Sequence, residues 1–457
     1  MSARSGHPRP PLPAGPYLVV GLARSGVAAA TLLARRGERV FGVDSGRPDP
    51  DPSEGLCALG VEVSLDDPGL KLLDGVNAVV KSPGVPADAP VIVAARERGV
   101  PVLGELELGW RLISNRFIAV TGTNGKTTVA EWLGHVFRAA GRPVDVAGNV
   151  GTPLTALVDQ VGSGIEIVCE CSSFQLEDSV AFAPEVAILL NVSPDHLDRH
   201  ETLDAYRAAK LRVFANQGPD DHAVFDLDDP VCDIPGDAGM ASYGVEACES
   251  DPACLVYLRD AVIEADGEPL VEAAEVALPG LHNLRNAMAV TAAALSAGIP
   301  RDAIAKGLTD FAGVPHRLER VAEIAAVSFV NDSKATNVAA AIAAINSFSG
   351  GVRVILGGSL KGDRFTELIP AVAAQCSACY LIGAAASALA DDLAGADVPL
   401  HQSGDLATAL AAASADAVAG DVVLLAPACA SFDQFPDYEQ RGELFRQLVR
   451  ELVEARR

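Results

Sequence analysis

The sequence has 457 residues, 49% of them hydrophobic and 5% aromatic, which is enough for about three domains with aliphatic cores. Its formal net charge of -25 excludes general affinity for nucleic acid and for anionic membrane surfaces, because no basic field offsets phosphate repulsion. No apolar run reaches the roughly 18 residues of a membrane helix, and residues 1–15 contain prolines and arginines without an apolar segment. We therefore expect a disordered leader over residues 1–15, no membrane insertion and a cytoplasmic location.

The nine cysteines are an odd number scattered over a long chain, which is not the pattern of a disulfide framework. Cys376 and Cys379 form a C-x-x-C pair, but no second pair or histidine pair lies at zinc spacing. We therefore expect reduced, buried cysteines.

The first predicted domain, residues 16–114, opens with the strand, glycine-rich turn, helix and strand that are typical of dinucleotide-binding folds. The turn covers residues 21–26, and Asp44 ends the second strand, at the place of the acid that holds ribose hydroxyls. Ala23 replaces the middle glycine of the motif, so a Rossmann-like unit without a nucleotide remains an alternative. A second turn, residues 81–85, follows a strand at the edge where open α/β sheets bind ligands.

The second predicted domain, residues 115–312, contains the most specific motif. An apolar run predicts a buried strand, residues 122–128 read Gly-Thr-Asn-Gly-Lys-Thr-Thr, and helical periodicity follows. This is the context of a phosphate-binding loop, where backbone N–H groups close around the phosphates at a helix N-terminus. Lys126 would reach the outer phosphates, and the Thr127 hydroxyl would bind Mg²⁺. Because Val120 holds the first glycine position of the strict motif, an ordinary turn with a solvated lysine is the alternative.

Four further residues of this domain are considered for catalysis or metal binding. Glu170 leaves the carboxyl end of a predicted core strand, where it could bind Mg²⁺ or remain a solvated acid. His196 and His200 are four residues apart, as in zinc helices, but no glutamate follows His196, so a zinc site is poorly supported. Lys210 lies on a predicted helix and, taken alone, is typical of an exposed lysine.

Residues 226–278 are acidic and rich in turns, and their pattern predicts only strand-like pieces. A long Ala-rich helix follows, and Asn283 and Asn286 share one of its faces. Capping of the helix N-terminus is the alternative to a binding role for these two residues.

The third predicted domain, residues 313–457, again alternates strands with polar, glycine- and serine-rich turns. Isolated lysines such as Lys334 and Lys361 are normally solvated, but these two follow predicted buried strands, which makes anion binding the alternative.

These blocks resemble the Mur ligases, the ATP-dependent amino-acid ligases that build the peptide of bacterial peptidoglycan. The phosphate loop at residues 122–127 marks the wider family, which includes folylpolyglutamate synthase. Blocks at residues 171–177, 331–337 and 428–435 are similar to the branch of the family that adds D-glutamate. The resemblance implies an α/β chain of three domains: a Rossmann-like N-terminal domain for a UDP-sugar, a central P-loop mononucleotide-binding domain for ATP, and a Rossmann-like C-terminal domain for the amino acid.

The resemblance also implies the site residues. The UDP substrate would contact Arg24, Ser25, Asp44, Ser45, Ser82, Asn149 and Ser172. ATP would contact Gly122, Thr123, Asn124, Gly125, Lys126, Thr127, Thr128, Asn283, Asn286, Arg317, Asp332 and Lys334. D-glutamate would contact Thr336, Lys361, Ser431, Phe432 and Tyr438. The residues implied in catalysis are Lys126, His196, Lys210 and Asn149.

The implied reaction joins D-glutamate to UDP-N-acetylmuramoyl-L-alanine through an acyl phosphate. Two anions must meet, so the site needs concentrated positive charge, which the resemblance supplies as Lys126 and two Mg²⁺ ions on Thr127, Glu170, His196 and Lys210. An ammonium cannot bind Mg²⁺, so Lys210 is implied to carry CO2 as a carbamate. The resemblance further implies that closure of the third domain excludes water. The expected partners are the three small-molecule substrates and no nucleic acid, with the protein a monomer.

Other functions remain open from the residues alone. A sibling ligase for a diamino acid would carry an Asp-Asn-Pro-Arg loop, which this sequence lacks. A folate-type ligase would share the phosphate loop but not the three further blocks. A nicotinamide-dependent oxidoreductase would use the first domain and show an absorbance change with NAD(P)H. A catalytically silent nucleotide-binding scaffold would lack the Mg²⁺ and phosphate residues, which are present.

Overall fold

The computed structural model describes residues 7–48, 50–229, 234–245, 254–360 and 364–455. The chain divides into two compact units, Met1–Phe311 and Ala312–Arg457. Two sheets organise the first unit and one sheet organises the second. The predicted α/β class, with three sheet-based domains, is confirmed, whereas the exact boundaries at residues 114 and 312 remain predictions.

Five parallel strands form the first sheet, in the order β3-β2-β1-β4-β5. The strands are β1 Tyr17–Val20, β2 Val40–Val43, β3 Glu62–Ser64, β4 Ala78–Lys81 and β5 Val102–Gly104. Its helices are α1 Arg24–Arg35, α2 Ser53–Ala58, α3 Pro90–Glu97 and α4 Glu105–Leu112. Val20 is in register with both Val43 and Lys81, so the turns after β1, β2 and β4 meet at one edge.

Nine strands form the second sheet, in the order β14-β13-β12-β11-β10-β9-β6-β8-β7. The strands are β6 Phe117–Thr121, β7 Val144–Gly148, β8 Glu166–Glu170, β9 Val186–Leu189, β10 His222–Asp226, β11 Gly239–Gly244, β12 Cys254–Arg259, β13 Val262–Ala265 and β14 Glu268–Glu272. Strands β6 to β12 pair in parallel and β12 to β14 pair antiparallel. The central strands are continuous apolar runs because the sheet is covered on both faces there.

Seven helices accompany the second sheet in the described part of the chain. They are α5 Lys126–Ala139, α6 Leu154–Leu157, α7 Ser173–Glu177, α8 Leu197–His200, α9 Leu203–Leu211, α10 Leu281–Ser296 and α11 Arg301–Thr309. The indole N–H of Trp132, on α5, donates to the Gly307 carbonyl oxygen at 2.8 Å, which ties α5 to α11.

Six strands form the sheet of the second unit, in the order β15-β16-β20-β17-β18-β19. The strands are β15 Glu319–Ile324, β16 Val327–Asn331, β17 Val352–Gly357, β18 Cys376–Ile382, β19 Leu400–Gly404 and β20 Val422–Leu425. Its helices are α12 Val338–Ile345, α13 Ile369–Gln375, α14 Ala386–Asp392, α15 Leu406–Asp416 and α16 Tyr438–Ala455. Only β15 runs antiparallel to its neighbour in this sheet. Over the described ranges of the chain, no helix combines the length and the apolarity needed to cross a membrane.

Residues 7–15 do not form the disordered leader that their composition predicts. The Arg9 guanidinium lies 4.0 Å from the centre of the Trp110 ring and donates to the carbonyl oxygens of Ile113 at 3.1 Å and Asn115 at 2.9 Å. His7 Nε2 lies 2.9 Å from Asp221 Oδ1. The prediction is wrong here because composition cannot reveal partners that lie far along the chain. Residues 1–6 lie outside the described residues.

Four described cysteines are reduced and buried, as the sequence predicts, whereas Cys57 is exposed and Cys376 is half-buried. Free thiols are found at Cys57, Cys169, Cys171, Cys376, Cys379 and Cys429. Cys254 is disulfide-bonded, so the expectation of reduced cysteines is wrong at this position.

Candidate active site

The loop between β6 and α5 has the backbone shape of a phosphate-binding loop. Gly122 and Gly125 have φ angles of 154° and 84°, which favour glycine over residues with a Cβ atom. A Cβ on Gly125 would lie 2.7 Å from Asn286 Oδ1. Helix α5 then begins at Lys126, and the N–H groups of its first turn have no acceptor within the helix. The loop therefore presents backbone donors and a positive helix end to an anion.

Two lysines meet at one carbonyl oxygen of this loop. Lys126 Nζ donates to the carbonyl oxygens of Gly122 at 2.9 Å and Thr123 at 2.8 Å. Lys210 Nζ donates to the same Gly122 oxygen at 2.7 Å and lies 4.4 Å from the centre of the Tyr206 ring. Lys210 is 1% exposed, and burial, together with the nearby Lys126 charge, lowers its pKa to about 7. The isolated-helix expectation of an exposed Lys210 is therefore wrong, because α9 turns this side chain into the loop.

Glu170 lies at the same sheet edge, beside the phosphate loop. Its Cα is in register with that of Val120 in the neighbouring strand, and its side chain is buried. Asn149 Nδ2 donates to Glu170 Oε1 at 3.0 Å, and the Asn149 backbone N–H donates to the Glu170 carbonyl oxygen at 2.8 Å. A Cβ on Gly148 would lie 2.2 Å from that carbonyl oxygen. Glycine at position 148 therefore permits the close approach that brings Asn149 to Glu170.

His196 and His200 both contact the rings of Phe174 and Tyr206 but have different surroundings. The His196 ring is 4.9 Å from the Phe174 ring and 6.3 Å from the Tyr206 ring, and its residue is exposed with a φ of 51°. His200 is buried, stacks on Phe174 and lies 3.0 Å from Ser173 Oγ. Burial lowers the pKa of His200 below its usual value. Among the described side chains no third His, Cys, Asp or Glu joins these two in a metal-binding group, so a zinc site is not supported.

The oxygen donors at this edge suit a hard cation. The Thr127 hydroxyl and the Glu170 carboxylate are ligand types that Mg²⁺ accepts. Within the described residues, no group of three His, Cys, Asp or Glu side chains is arranged to hold a metal ion. The residues fit Mg²⁺ held in part by phosphate oxygens, which is usual at nucleotide sites.

Helix α10 places its two asparagines next to the phosphate loop. Asn286 is buried, and its Nδ2 donates to Asn283 Oδ1 at 3.3 Å. Asn283 Nδ2 donates to the Pro279 carbonyl oxygen at 2.8 Å. The N-cap residue of α10 is Gly280, without a side-chain hydrogen bond. Neither asparagine is the N-cap residue, and Asn286 faces Gly125.

The turns of the first sheet meet at its carboxyl edge. Asp44 Oδ2 accepts from the Leu22 backbone N–H at 2.7 Å, and Asp44 Oδ1 accepts from Gly46 at 3.0 Å. Ser82 is buried, and a Cβ on Gly21 would lie 2.9 Å from Ser82 Cβ. Asp44 therefore holds two turns together, a role that its place after β2 does not reveal.

Other residues predicted for the UDP substrate are more exposed or already have partners. Arg24 Nη1 donates to the Gly151 carbonyl oxygen at 3.1 Å, on the exterior. Ser25 is half-buried and Ser45 exposed. Ser172 is the N-cap of α7, where it forms a capping box with Gln175.

In the second unit, Asp332 follows the end of β16. It is buried and accepts a hydrogen bond from the Leu318 backbone N–H at 3.2 Å. Burial raises its pKa to about 6, although Arg317 and Lys334 oppose the rise. Arg317 is exposed, and Lys334 Nζ lies 5.8 Å from the centre of the Tyr438 ring. Three of the predicted ATP residues therefore lie near one another at one sheet edge.

The residues predicted for D-glutamate are only partly described. Ser431 is buried, Phe432 is 66% exposed, and Thr336 and Tyr438 are half-buried. Lys361 lies outside the described residues.

Sequence reasoning missed Arg441, a buried cation of this unit. Arg441 donates to the carbonyl oxygens of Cys429 and Ser333 at 3.1 and 2.9 Å and to Ser333 Oγ at 3.0 Å. A single arginine therefore joins the loop after β16 to the loop after β20. The pattern gives no signal for this role, because Arg441 lies on an amphipathic helix like any surface arginine.

The fold and this edge define a class of protein: a three-domain α/β enzyme that binds a nucleoside triphosphate on a phosphate loop. Sequence models of known families agree with this class. They match the MurD-like N-terminal domain of Mur ligases over residues 16–104, the Mur ligase middle domain over 120–294 and the Mur ligase glutamate ligase domain over 316–429. The chain belongs to the Mur ligase family.

Individual relatives are similar over nearly their whole length. UDP-N-acetylmuramoylalanine--D-glutamate ligase of Acidobacterium capsulatum is 42% identical over 94% of this chain and 95% of the relative. The protein of the same name from Rubrobacter xylanophilus is 44% identical over 94% of this chain and 97% of the relative. Among solved structures, UDP-N-acetylmuramate-alanine ligase MurC of Thermotoga maritima has a TM-score of 0.58 at 20% identity, covering 96% of this chain and 99% of that chain. That structural likeness shows the fold alone.

Proposed function

We propose that this chain is an ATP-dependent ligase that adds D-glutamate to UDP-N-acetylmuramoyl-L-alanine during peptidoglycan precursor synthesis. The observation that carries the proposal is the near-complete match to ligases of that name at about 42% identity. The phosphate loop, Glu170 and Lys210 at one sheet edge agree with such chemistry. The reaction makes an amide bond, and its partners are three small molecules.

The chemistry requires activation, because a carboxylate is a poor acylating agent. The alanyl carboxylate attacks the γ-phosphorus of ATP, the bond to the ADP oxygen breaks, and an acyl phosphate forms. The unprotonated amine of D-glutamate then attacks the acyl carbon, phosphate leaves, and the new amide nitrogen loses a proton. Two anions meet in the first step, so cations placed in advance lower its barrier.

We propose that Lys126 and the N-terminus of α5 bind the ATP phosphates. Lys126 Nζ donates to two carbonyl oxygens of the loop itself. It would exchange these contacts for the outer phosphates when ATP binds. The remaining loop residues in this proposal are Gly122, Thr123, Asn124, Gly125, Thr127 and Thr128. Asn283 and Asn286 would support them from α10, and Arg317, Asp332 and Lys334 of the second unit would bind ATP as well.

We propose that Thr127, Glu170 and His196 provide ligands for two Mg²⁺ ions, together with a modified Lys210. Bound Mg²⁺ would neutralise phosphate charge and bring the carboxylate close to the γ-phosphate. Asn149 donates to Glu170 and would orient the substrate carboxylate from this position.

The proposed modification of Lys210 is a carbamate. Its amine is buried beside the phosphate loop, and a pKa of about 7 leaves a substantial neutral fraction. A neutral amine adds CO2 and loses a proton, which turns a cationic side chain into an oxygen ligand. This explains how a lysine could serve a hard cation.

The remaining roles follow from the family. Arg24, Ser25, Asp44, Ser45, Ser82 and Ser172 would bind the UDP substrate, and Thr336, Lys361, Ser431, Phe432 and Tyr438 would bind D-glutamate. We propose a monomer, and a cytoplasmic location because ATP and the UDP-sugar are supplied there.

The test is phosphate release from ATP with UDP-N-acetylmuramoyl-L-alanine and one amino acid at a time. We expect release with D-glutamate and little with L-glutamate, L-alanine or meso-diaminopimelate. Equal rates with all four amino acids, or release only with another of them, would overturn the proposal. Detection of the ligated dipeptide product by mass spectrometry would exclude simple ATP hydrolysis.

A further inference from the structure

Lys81 is a buried cation that the proposed chemistry does not use. It ends strand β4, and its side chain is 0% exposed. Its Nζ donates to the Val85 carbonyl oxygen at 2.8 Å and lies 2.6 Å from Asp178 Oδ2. Asp178 is the C-cap residue of α7 and its side chain is 2% exposed. The pair therefore joins the first sheet of the unit to the second.

Charges are costly in such a place. Removing two ions from water costs several kcal/mol each in real proteins, and apolar residues of similar volume often stabilise a fold as well. Burial lowers the pKa of Lys81 and raises that of Asp178, and each is opposed by its partner's charge. Arg96 adds a second cation, with Nη2 at 3.4 Å from Asp178 Oδ1. Stability alone therefore does not account for this arrangement. The hydrogen bond from Lys81 to the Val85 carbonyl oxygen gives the pair a geometric role.

The geometry that the pair fixes is that of the turn at residues 82–85. Lys81 holds the turn from within through Val85. Arg199 holds it from the second sheet, because its guanidinium donates to the carbonyl oxygens of Val85 at 2.9 Å and Gly84 at 3.3 Å. The same guanidinium lies 4.3 Å from the centre of the Phe174 ring.

The elements behind these contacts carry proposed catalytic and substrate residues. Arg199 is on α8, whose N-cap residue is His196, and Phe174 also contacts the His196 ring. Asp178 ends α7, whose N-cap residue is Ser172. The turn is therefore bonded directly to α8 through Arg199, and it is linked to α7 through Lys81, which contacts both Val85 and Asp178.

We propose that Lys81 and Asp178 are positioning residues: they hold the turn at residues 82–85, which binds the UDP part of the substrate, at a fixed place relative to the phosphate loop. This inference depends on the proposed function, because it takes Ser82 as a substrate contact. The distance between the UDP end and the reacting carboxylate is set by the substrate. A turn that shifts against the second sheet would therefore bind the UDP end only by moving the carboxylate away from the γ-phosphate.

The test separates positioning from stability. Asp178→Asn leaves the Lys81 charge buried without a full partner, so the unfolding temperature should fall. The double variant Lys81→Met with Asp178→Leu removes both charges, and its unfolding temperature should return close to that of the wild type. Because the tether to Val85 is lost, we expect the double variant to raise the KM and the Kd of the UDP substrate about tenfold. The KM values of ATP and D-glutamate should stay close to those of the wild type.

Two further variants separate loss of stability from loss of substrate binding. Arg353→Met breaks the pair with Asp421, which spans 2.7 Å in the other unit, and should lower stability without changing the affinity for the UDP substrate. Arg199→Gln removes the second tether from a partly exposed position and should weaken UDP-substrate binding about threefold. An unchanged KM and Kd in both the double variant and Arg199→Gln would overturn the inference. So would an equal rise in all three KM values.

Calorimetric binding of the UDP substrate needs no ligation. A wild type that binds it but does not join D-glutamate would therefore contradict the proposed function and leave the positioning test in place.

Discussion

At the scale of single residues, position in the fold strongly changes the chemistry of Lys210. On an isolated helix it would be a solvated cation, whereas in the folded chain it is buried against Tyr206 and the phosphate loop. Its pKa of about 7 means that about half of the amines are unprotonated near neutrality. Only the unprotonated amine can react with CO2.

Depletion of CO2 should therefore remove most of the ligase activity, and added bicarbonate should restore it. Lys210→Ala should lower kcat at least about a hundredfold, the usual loss when a charge-stabilising group is removed, and short carboxylic acids should restore part of it. Lys306→Ala changes an exposed lysine and should behave like the wild type. A Lys210→Ala variant that keeps its full rate without added acids would contradict the carbamate, as would the absence of label on Lys210 after incubation with ¹³C-bicarbonate.

His316 predicts a pH dependence of stability. It is buried, its Nδ1 accepts from Asn331 Nδ2 at 2.9 Å, and burial lowers its pKa below the usual value of 6.5. Below pH 6.5 the unfolded chain binds a proton that the folded chain resists, so stability falls as the pH falls. We expect the free energy of unfolding to decrease between pH 7.5 and 5.5 by about 1 kcal/mol more in the wild type than in His316→Asn.

Urea midpoints at the two pH values measure this difference. His282→Gln changes an exposed histidine and should keep the pH dependence of the wild type. Identical pH dependence in the wild type and His316→Asn would show that His316 contributes nothing to it.

At the scale of elements, strand ends are the features that sequence reasoning locates best. Apolar runs followed by polar turns predict β6 and β8, and parallel pairing then brings Gly122 and Glu170 to one edge. The region of β11 to β14 is predicted only as strand-like pieces, because register shifts after Ser242 and Ile263 interrupt its pairing.

Contacts between elements are the part of the site that the sequence does not reveal. In the sequence, Asp178 is typical of an acid at a helix end. In the folded chain it lies 2.6 Å from Lys81 of β4. The burial of Lys210 likewise depends on how α9 lies against the phosphate loop. Pattern gives the type and the end of an element, whereas pairing across sheets and the pKa of a buried group depend on tertiary packing.

The start of helix α5 predicts a sharp difference between two glycines. Gly125→Ala combines a φ of 84° with a Cβ only 2.7 Å from Asn286 Oδ1, so we expect the KM of ATP to rise about tenfold or more. Gly141, after the end of α5, has a φ of 69° and open space around it. Gly141→Ala should cost about 1 kcal/mol of stability and leave the KM of ATP unchanged. Equal effects of the two substitutions on ATP would contradict a phosphate loop at Gly125.

At the scale of the whole molecule, a chain of net charge -25 must bring its few cations together to bind anionic substrates. In the first unit, Lys126 and Lys210 share one carbonyl oxygen. In the second, Arg317 and Lys334 lie close enough to Asp332 to oppose the rise of its pKa.

The division of the chain at Phe311 predicts that the first unit folds alone. Residues 1–311 contain the first and second sheets together with their hydrophobic cores. This fragment should therefore unfold cooperatively and bind the UDP substrate. It lacks Arg317, Asp332 and Ser431 and should release no phosphate in response to D-glutamate. Circular dichroism, calorimetry and the phosphate assay measure the three properties. A fragment that is unfolded, or that is fully active, would contradict this division of roles.

The contacts of His7 and Arg9 have a consequence for biosynthesis. His7 pairs with Asp221, 214 positions along the chain, and its backbone N–H donates to Glu185. A ribosome must therefore add some two hundred further amino acids before His7 finds Asp221, whereas the partners of Arg9 lie only 104 and 106 positions along the chain. Docking of His7 is thus the later event in the maturation of the nascent polypeptide. The indole face of Trp110 that Arg9 covers can therefore be shielded well before the segment is fixed at its other end.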